Sequence, residues 1–326
     1  METRSRPLWL LIVALVLLGL ALLLTARFAP SAVTPSASPS VAATPSSAPS
    51  GLPSGSPGGT PTSAPTGTGA DAILLAVGDI AYCDATADEL VGELAARLPG
   101  TIALLGDNAY QHGSAADYAN CFDPTWGGLR DRLRPVPGNH EYETNEATPY
   151  FSYFGAAVGN VGQGWYSYDL GAWHLIALNS ECGAIGGCGP GSPELSWLEA
   201  DLAAHPVACT LAYWHHPRYS SGRHGDNDMT EAFWQALAAA GADVVLEGHD
   251  HDYERLAPIY GIRSFVVGTG GRSLYAWPGG PGPHTEVRAN DTYGLLQLTL
   301  GATDYSWRFV PASGGSFTDA GAGQCH

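Results

Sequence analysis

The chain has 326 residues, of which 45% are hydrophobic and 10% aromatic. That is enough apolar side chain for a real core and too much for a wholly disordered protein. Its 14 basic residues, all Arg, face 31 acidic ones, and the net charge of −17 argues against a surface built to hold nucleic acid.

The first thirty residues read as an address. Arg4 and Arg6 precede an apolar run from Leu8 to Leu24, with Arg27 just beyond. A run of this length is short for a spanning helix and long for a signal-peptide core. Positive charge ahead of it favours a cytoplasmic N-terminus. Cleavage after Ala26 or Ala29 would put Leu24 or Arg27 where a small residue is needed. Residues 1–29 are therefore read as an uncleaved signal anchor, with a cleaved signal peptide as the alternative. In both cases the remainder is exported, tethered to a membrane or secreted. A Pro/Ser/Thr/Ala/Gly tract fills 30–70, with no charged residue between Arg27 and Asp71. It cannot bury enough apolar surface to offset chain entropy, so a disordered, extended linker is expected. It serves as a spacer or as a passive connector.

Residues 71–326 read as one domain. Ile73–Val77 is an apolar run ending at Gly78-Asp79, and Thr86–Leu98 is an amphipathic helix stopped by Pro99. Thr101–Leu105 ends at Gly106-Asp107, and Arg134–Val136 leads into Pro137-Gly138-Asn139-His140. Trp165–Leu170 and Trp173–Leu178 form a hairpin around Gly171. Pro193–Ala204 is a helix with Ser192 as its N-cap. Thr210–Trp214 ends at His215; Met229–Ala240 is a helix closed by Gly241. Asp243–Leu246 ends at Gly248-His249, and Ser264–Val267, Tyr293–Leu300 and Asp304–Val310 are late strands. Alternating strands and helices predict an α/β layered fold with helices outside a sheet core.

All six cysteines lie in this domain, and an even count in an exported chain implies disulfides. Cys182 and Cys188 flank the Gly-rich stretch Gly183–Gly187 and are paired on that ground. Cys83–Cys121 and Cys209–Cys325 are the remaining guesses. No C-x-x-C spacing supports a zinc site instead.

Five strands end in polar residues, and ligands of open α/β sheets bind beyond the carboxyl ends of strands. Asp79, Asp107, Asn139, His215 and His249 are thus expected to converge. Carboxylate, amide and imidazole together suit Zn, Mn or Fe. A carboxylate bridging two cations makes a two-metal site. Such a pair holds a phosphate and acidifies a shared water for in-line attack on phosphorus. No Ser or Cys nucleophile motif competes.

Five blocks carry a family resemblance: Gly78-Asp79, Gly106-Asp107-Asn108-Ala109-Tyr110, Gly138-Asn139-His140-Glu141, Ala212-Tyr213-Trp214-His215, and Gly248-His249-Asp250-His251-Asp252-Tyr253. In this order they resemble the calcineurin-like metallophosphoesterases, and among them the purple acid phosphatases. The resemblance implies a layered sandwich of two central mixed β-sheets flanked by helices. By matching position, one metal takes Asp79, Asp107, Tyr110 and His251, and the other Asp107, Asn139, His215 and His249. His140 matches a His that faces the phosphate or protonates the leaving alkoxide. His224 matches a second substrate-facing His more loosely, and His216 is placed behind the ligands. Ala81 stands where ordinary members carry a metal-binding His, and Tyr110 supplies the replacement. A phenolate ligand implies Fe(III), paired with Zn, Mn or Fe(II). Tyr82, beside Ala81, is a decoy or a supporting group. Gly270-Gly271-Arg272 reads as a Gly turn rather than as a phosphate-facing Arg.

The implied activity is hydrolysis of small phosphomonoesters. Phosphodiester or nucleotide hydrolysis at the same site, and a non-catalytic surface binding protein reusing the fold, are the alternatives.

Overall fold

The computed structural model describes residues 71–326. The strand β1 (Ala72–Val77) sends its side chains alternately into two different cores, and that period of two sets the layering. Leu74 and Ala76 enter the layer between two sheets, while Leu75 and Val77 face helices. The helix α1 (Ala87–Arg97) follows, packing Val91, Leu94 and Ala95 on that outer face. Next come β2 (Thr101–Leu105) and β3 (Leu133–Val136), each parallel to its predecessor. Between β2 and β3, residues 115–132 make short helical turns that bury Tyr118, Phe122 and Trp126. The helix α2 (Thr148–Phe154) adds Tyr150, Phe151 and Phe154 to the same cluster.

The second sheet starts with the hairpin of β4 (Tyr166–Leu170) and β5 (Trp173–Ala177). The helix α3 (Pro193–Ala204) begins where expected: Pro193 is its first residue, and the Ser192 hydroxyl accepts from Leu195 N at 3.3 Å. Then follow β6 (Cys209–Tyr213), α4 (Glu231–Ala239) and β7 (Val244–Glu247). The strands β8 (Tyr253–Leu256), β9 (Arg263–Val267) and β10 (Thr285–Ala289) complete this sheet, ordered β10-β8-β9-β7-β6-β5-β4. The chain then returns to the first sheet with β11 (Gly294–Leu300), β12 (Asp304–Pro311) and β13 (Ala320–Gln324), giving the order β13-β12-β11-β1-β2-β3.

The fold is therefore two mixed sheets face to face with helices outside. Leu105, Leu175, Leu211, Leu246 and Phe265 fill the central layer. Truncating one such leucine to Ala costs about 2–5 kcal/mol, from lost transfer energy plus the cavity left behind. The strand–helix order and the layering match the sequence reading. Three strands escaped it, β8, β10 and β13, as did the helical turns of 115–132 and α2.

All six cysteines are paired as expected: Cys83–Cys121, Cys182–Cys188 and Cys209–Cys325. The last joins the first residue of β6 to the residue after β13, and so ties one sheet to the other. The expected anchor and linker, residues 1–29 and 30–70, lie outside the described residues. Among the described residues no helix is long and apolar enough to cross a membrane.

Candidate metal centre

The parallel strands β1, β2 and β3 of one sheet, and β6 and β7 of the other, release their chains at one edge of the sandwich. There the backbone turns sharply. Asp79, Asp107 and His249 all adopt positive φ, at 60°, 49° and 68°. Such left-handed conformations are strained for residues with a Cβ and persist where function requires them. Gly138 makes the approach possible: a Cβ there would lie 2.3 Å from Asp107 Oδ1.

Two sets of four donor atoms result. In the first, Tyr110 Oη lies 2.9 Å from both Asp79 Oδ1 and Asp107 Oδ2, and 3.2 Å from His251 Nε2. His251 Nε2 is also 3.3 Å from Asp79 Oδ1. In the second, His215 Nε2 lies 3.2 Å from Asn139 Oδ1, 3.2 Å from His249 Nδ1 and 3.4 Å from Asp107 Oδ1. Asp107 places one oxygen in each set. Cations bound at about 2.0–2.2 Å have neighbouring ligand atoms roughly 3 Å apart, so both sets fit a metal ion.

The outer atoms are fixed. His215 Nδ1 donates to Leu105 O at 2.8 Å, and His251 Nδ1 to Ser273 O at 2.8 Å, which leaves each Nε2 lone pair for the centre. Asp79 Oδ2 accepts from His249 N at 2.8 Å, and Asp107 Oδ1 from His140 N at 2.9 Å.

The electrostatics follow from burial and from the two carboxylates. Burial would raise the Asp107 carboxyl, but the charge and hydrogen bond of His215, then His140, hold it far below its usual range. Burial would lower His215, and Asp107 and then Asp79 outweigh it, lifting it to about 10. Burial, then the like charges of Asp107 and Asp79, pushes the Tyr110 phenol well up. Burial, then His215, His216 and His224, drives His249 well down, so it stays neutral. Cations here must displace the Tyr110 and His215 protons.

The remaining expected residues border these sets. His140 Nδ1 contacts Gln111 O at 2.6 Å and Glu143 Oε1 at 3.1 Å, while its Nε2 lies 3.7 Å from Asp107 Oδ2. The His224 ring stacks on His249 with centroids 4.1 Å apart, its backbone N donating to Asp250 Oδ1 at 2.7 Å. His216 sits behind, its Nδ1 2.9 Å from Ser180 Oγ.

Two residues were missed. Glu141, fully buried, accepts from Gly138 N at 2.8 Å, Asn108 N at 2.9 Å and Tyr118 Oη at 3.0 Å, pinning two ligand-bearing loops together. Its signal was visible as the acid closing the third block. Tyr275 stacks flat on His251, centroids 4.0 Å apart, from a loop with no recognisable pattern. One reading is corrected. Gly270-Gly271-Arg272 is more than a turn: Arg272 N donates to Asp79 O at 3.0 Å, and its guanidinium lies over the Tyr82 and Tyr110 rings.

Residues 72–253, which hold every residue of both donor sets, match the family model of calcineurin-like phosphoesterases. This chain belongs to the calcineurin-like phosphoesterase family. It is 27% identical over 242 residues to purple acid phosphatase 15 of Arabidopsis thaliana, covering 61% of this chain and 44% of that one. It is 32% identical over 168 residues to acid phosphatase type 7 of Homo sapiens, covering 44% and 37%. This calcineurin-like phosphoesterase thus spans less than half the length of these relatives. Among solved structures it resembles purple acid phosphatase PPD1 of yellow lupin, with TM-score 0.68, 17% identity and coverage of 78% and 54%. It also resembles GAP50, the anchor in the inner membrane complex of Plasmodium, with TM-score 0.63, 14% identity and coverage of 77% and 88%. At these identities the likeness is one of fold, so what this family member does rests on its own side chains.

Proposed function

We propose that this protein is an exported phosphomonoesterase with two metal ions, and the observation that carries this reading is the pair of donor sets sharing Asp107. Asp79, Asp107, Tyr110 and His251 would hold Fe(III), which the phenolate favours; Asp107, Asn139, His215 and His249 would hold Zn, Mn or Fe(II). When bound, the two ions supply Lewis acidity and a water acidified at mild pH. The protein's part is to orient and to move protons. The His140 ring is set by Gln111 and Glu143 on one side, so its Nε2 is the atom that meets a phosphate oxygen or delivers a proton to the leaving alkoxide. His224, stacked on His249 and tied to Asp250, is the second imidazole that would bind the phosphate. Three disulfides support an oxidising destination outside the cytoplasm.

The test is turnover of p-nitrophenyl phosphate against bis-p-nitrophenyl phosphate, with metal content per chain. Hydrolysis of the monoester with two metals bound and about one of them iron is expected. Preference for the diester would replace the reading by a phosphodiesterase. Full metal loading without turnover of either would leave a binding protein.

A further inference from the structure

Eleven arginines lie among the described residues, and nine of them have a carboxylate partner or a firm hydrogen bond. Arg223 and Arg272 have neither. Arg223 lies over the Tyr275 ring, its Cζ 4.8 Å from the centroid. Arg272 lies 4.3 Å from the Tyr82 centroid and 5.4 Å from that of Tyr110, with hydrogen bonds of 3.4 Å to Ser273 Oγ and Gln111 Oε1 as its best polar contacts. Two of the three rings they cover lead to the centre. Tyr275 is stacked on His251, Tyr110 belongs to the first donor set, and Arg223 adjoins His224. In a chain of net charge −17, two guanidiniums with idle donors stand beside the candidate centre.

Acids stand around the same centre. Glu143 contacts His140, Glu181 Oε1 lies 3.5 Å from His216 Nε2, and both line a cavity of about 750 Å³ together with Glu146. A substrate whose phosphate lies at the centre therefore has these carboxylates and two planar cations as its charged neighbours, and an anionic tail is drawn to the cations. Guanidinium groups match phosphoryl and carboxylate oxygens in bidentate geometry.

We infer that Arg223 and Arg272 bind a second anionic group, phosphoryl or carboxylate, on the leaving portion of the substrate. This rests on the phosphatase reading and adds a substrate class to it: small phosphate esters or anhydrides with an anionic tail. Hydrolysis consumes one water and breaks the P–O bond to the tail, whose oxygen takes the proton; inorganic phosphate and the anionic product leave. The aromatic rings hold the guanidiniums by their faces and leave the N–H edges to the ligand. The same pair of cations draws anionic substrates towards an otherwise repulsive surface.

The experiment compares the metal-loaded full chain with its Arg223→Gln/Arg272→Gln form. Pyrophosphate and 3-phosphoglycerate carry the two kinds of tail, and p-nitrophenyl phosphate carries none. The ratio of kcat/KM for either tailed substrate to that for p-nitrophenyl phosphate should fall about ten-fold or more in the double variant, through KM. Arg272→Lys should recover part of it. A fall for pyrophosphate alone assigns a phosphoryl tail, and a fall for 3-phosphoglycerate alone a carboxylate. An unchanged ratio overturns the inference. If p-nitrophenyl phosphate is not turned over by the wild type, the phosphatase reading fails instead. Calorimetric titration with pyrophosphate then decides, and equal affinity of wild type and double variant overturns the role of the arginines.

Discussion

Two histidine–carboxylate clusters lie at opposite ends of the parallel strands β5, β6 and β7, and they aim their ring nitrogens differently. At the carboxyl ends, His215 and His251 spend one nitrogen on a backbone carbonyl and turn the other towards carboxylates and a phenol. At the amino end of β5, His174 spends both nitrogens on carboxylates, 2.9 Å from Asp169 Oδ1 and 2.8 Å from Asp201 Oδ2. His205, which also contacts Asp201, stacks on His174 with centroids 4.1 Å and planes 15° apart. Imidazole lone pairs lie in the ring plane, so two parallel stacked rings cannot aim at a common ion. The same residue types make an arrangement that fits cations in one place and a buried ion pair in the other. Orientation, not donor composition, separates them.

The sharpest way to break this contrast is Asp107→Ala. It removes an oxygen from each donor set, so metal content should fall below one ion per chain and turnover by at least about 10⁴-fold; retained turnover sinks the assignment. Next is Tyr110→Phe, which keeps the ring and loses the oxygen. Iron content and any phenolate-to-iron visible absorption should disappear, with activity down about 100-fold. His174→Gln addresses the other cluster. Burial lowers the His174 pKa, but its bonds to Asp201 and then Asp169 raise it more. A raised folded pKa means stabilisation that is complete below the unfolded value of about 6.5 and is lost as pH rises through the folded value. The variant should therefore lose about 2 kcal/mol at pH 5–6, and the gap should close on going alkaline, as followed by urea unfolding. Its metal content should equal that of the wild type; a lost ion would erase the contrast. The smallest effect is expected of His205→Ala. Its half-exposed ring should cost about 0.5 kcal/mol and no metal.

The legible part of the molecule was the part where chemistry and strand ends coincide. Apolar runs such as Thr101–Leu105 and Asp243–Leu246 end in the polar blocks, so strand and donor could be read together. The missed strands lack that signal. In β13, Ala-Gly-Ala-Gly-Gln has almost no side chain, because Trp307 and Tyr305 of β12 fill the space above: a Cβ on Gly321 would lie 2.3 Å from the Trp307 ring. Aromatic cover from the neighbouring strand thus replaces intrinsic propensity. The strand β8 begins at Tyr253, the last residue of the fifth block, and the motif hid it. β10 lies at a sheet edge with no fully buried residue, so no alternation marks it. Tyr275 and Arg272 reach the centre from a loop whose course is set by tertiary contacts, which spacing does not encode.

The three disulfides join the first cysteine to the second, the third to the fourth and the fifth to the sixth. Chains are made and fold from the N-terminal end, so each cysteine meets its native partner as the next one to emerge. An oxidase pairing thiols in order of arrival would make no wrong bond, and no isomerase would be needed to undo one. The final pair is separated by 116 residues, so the staple between the two sheets closes long after Cys209 has emerged, once β7 to β13 have followed it.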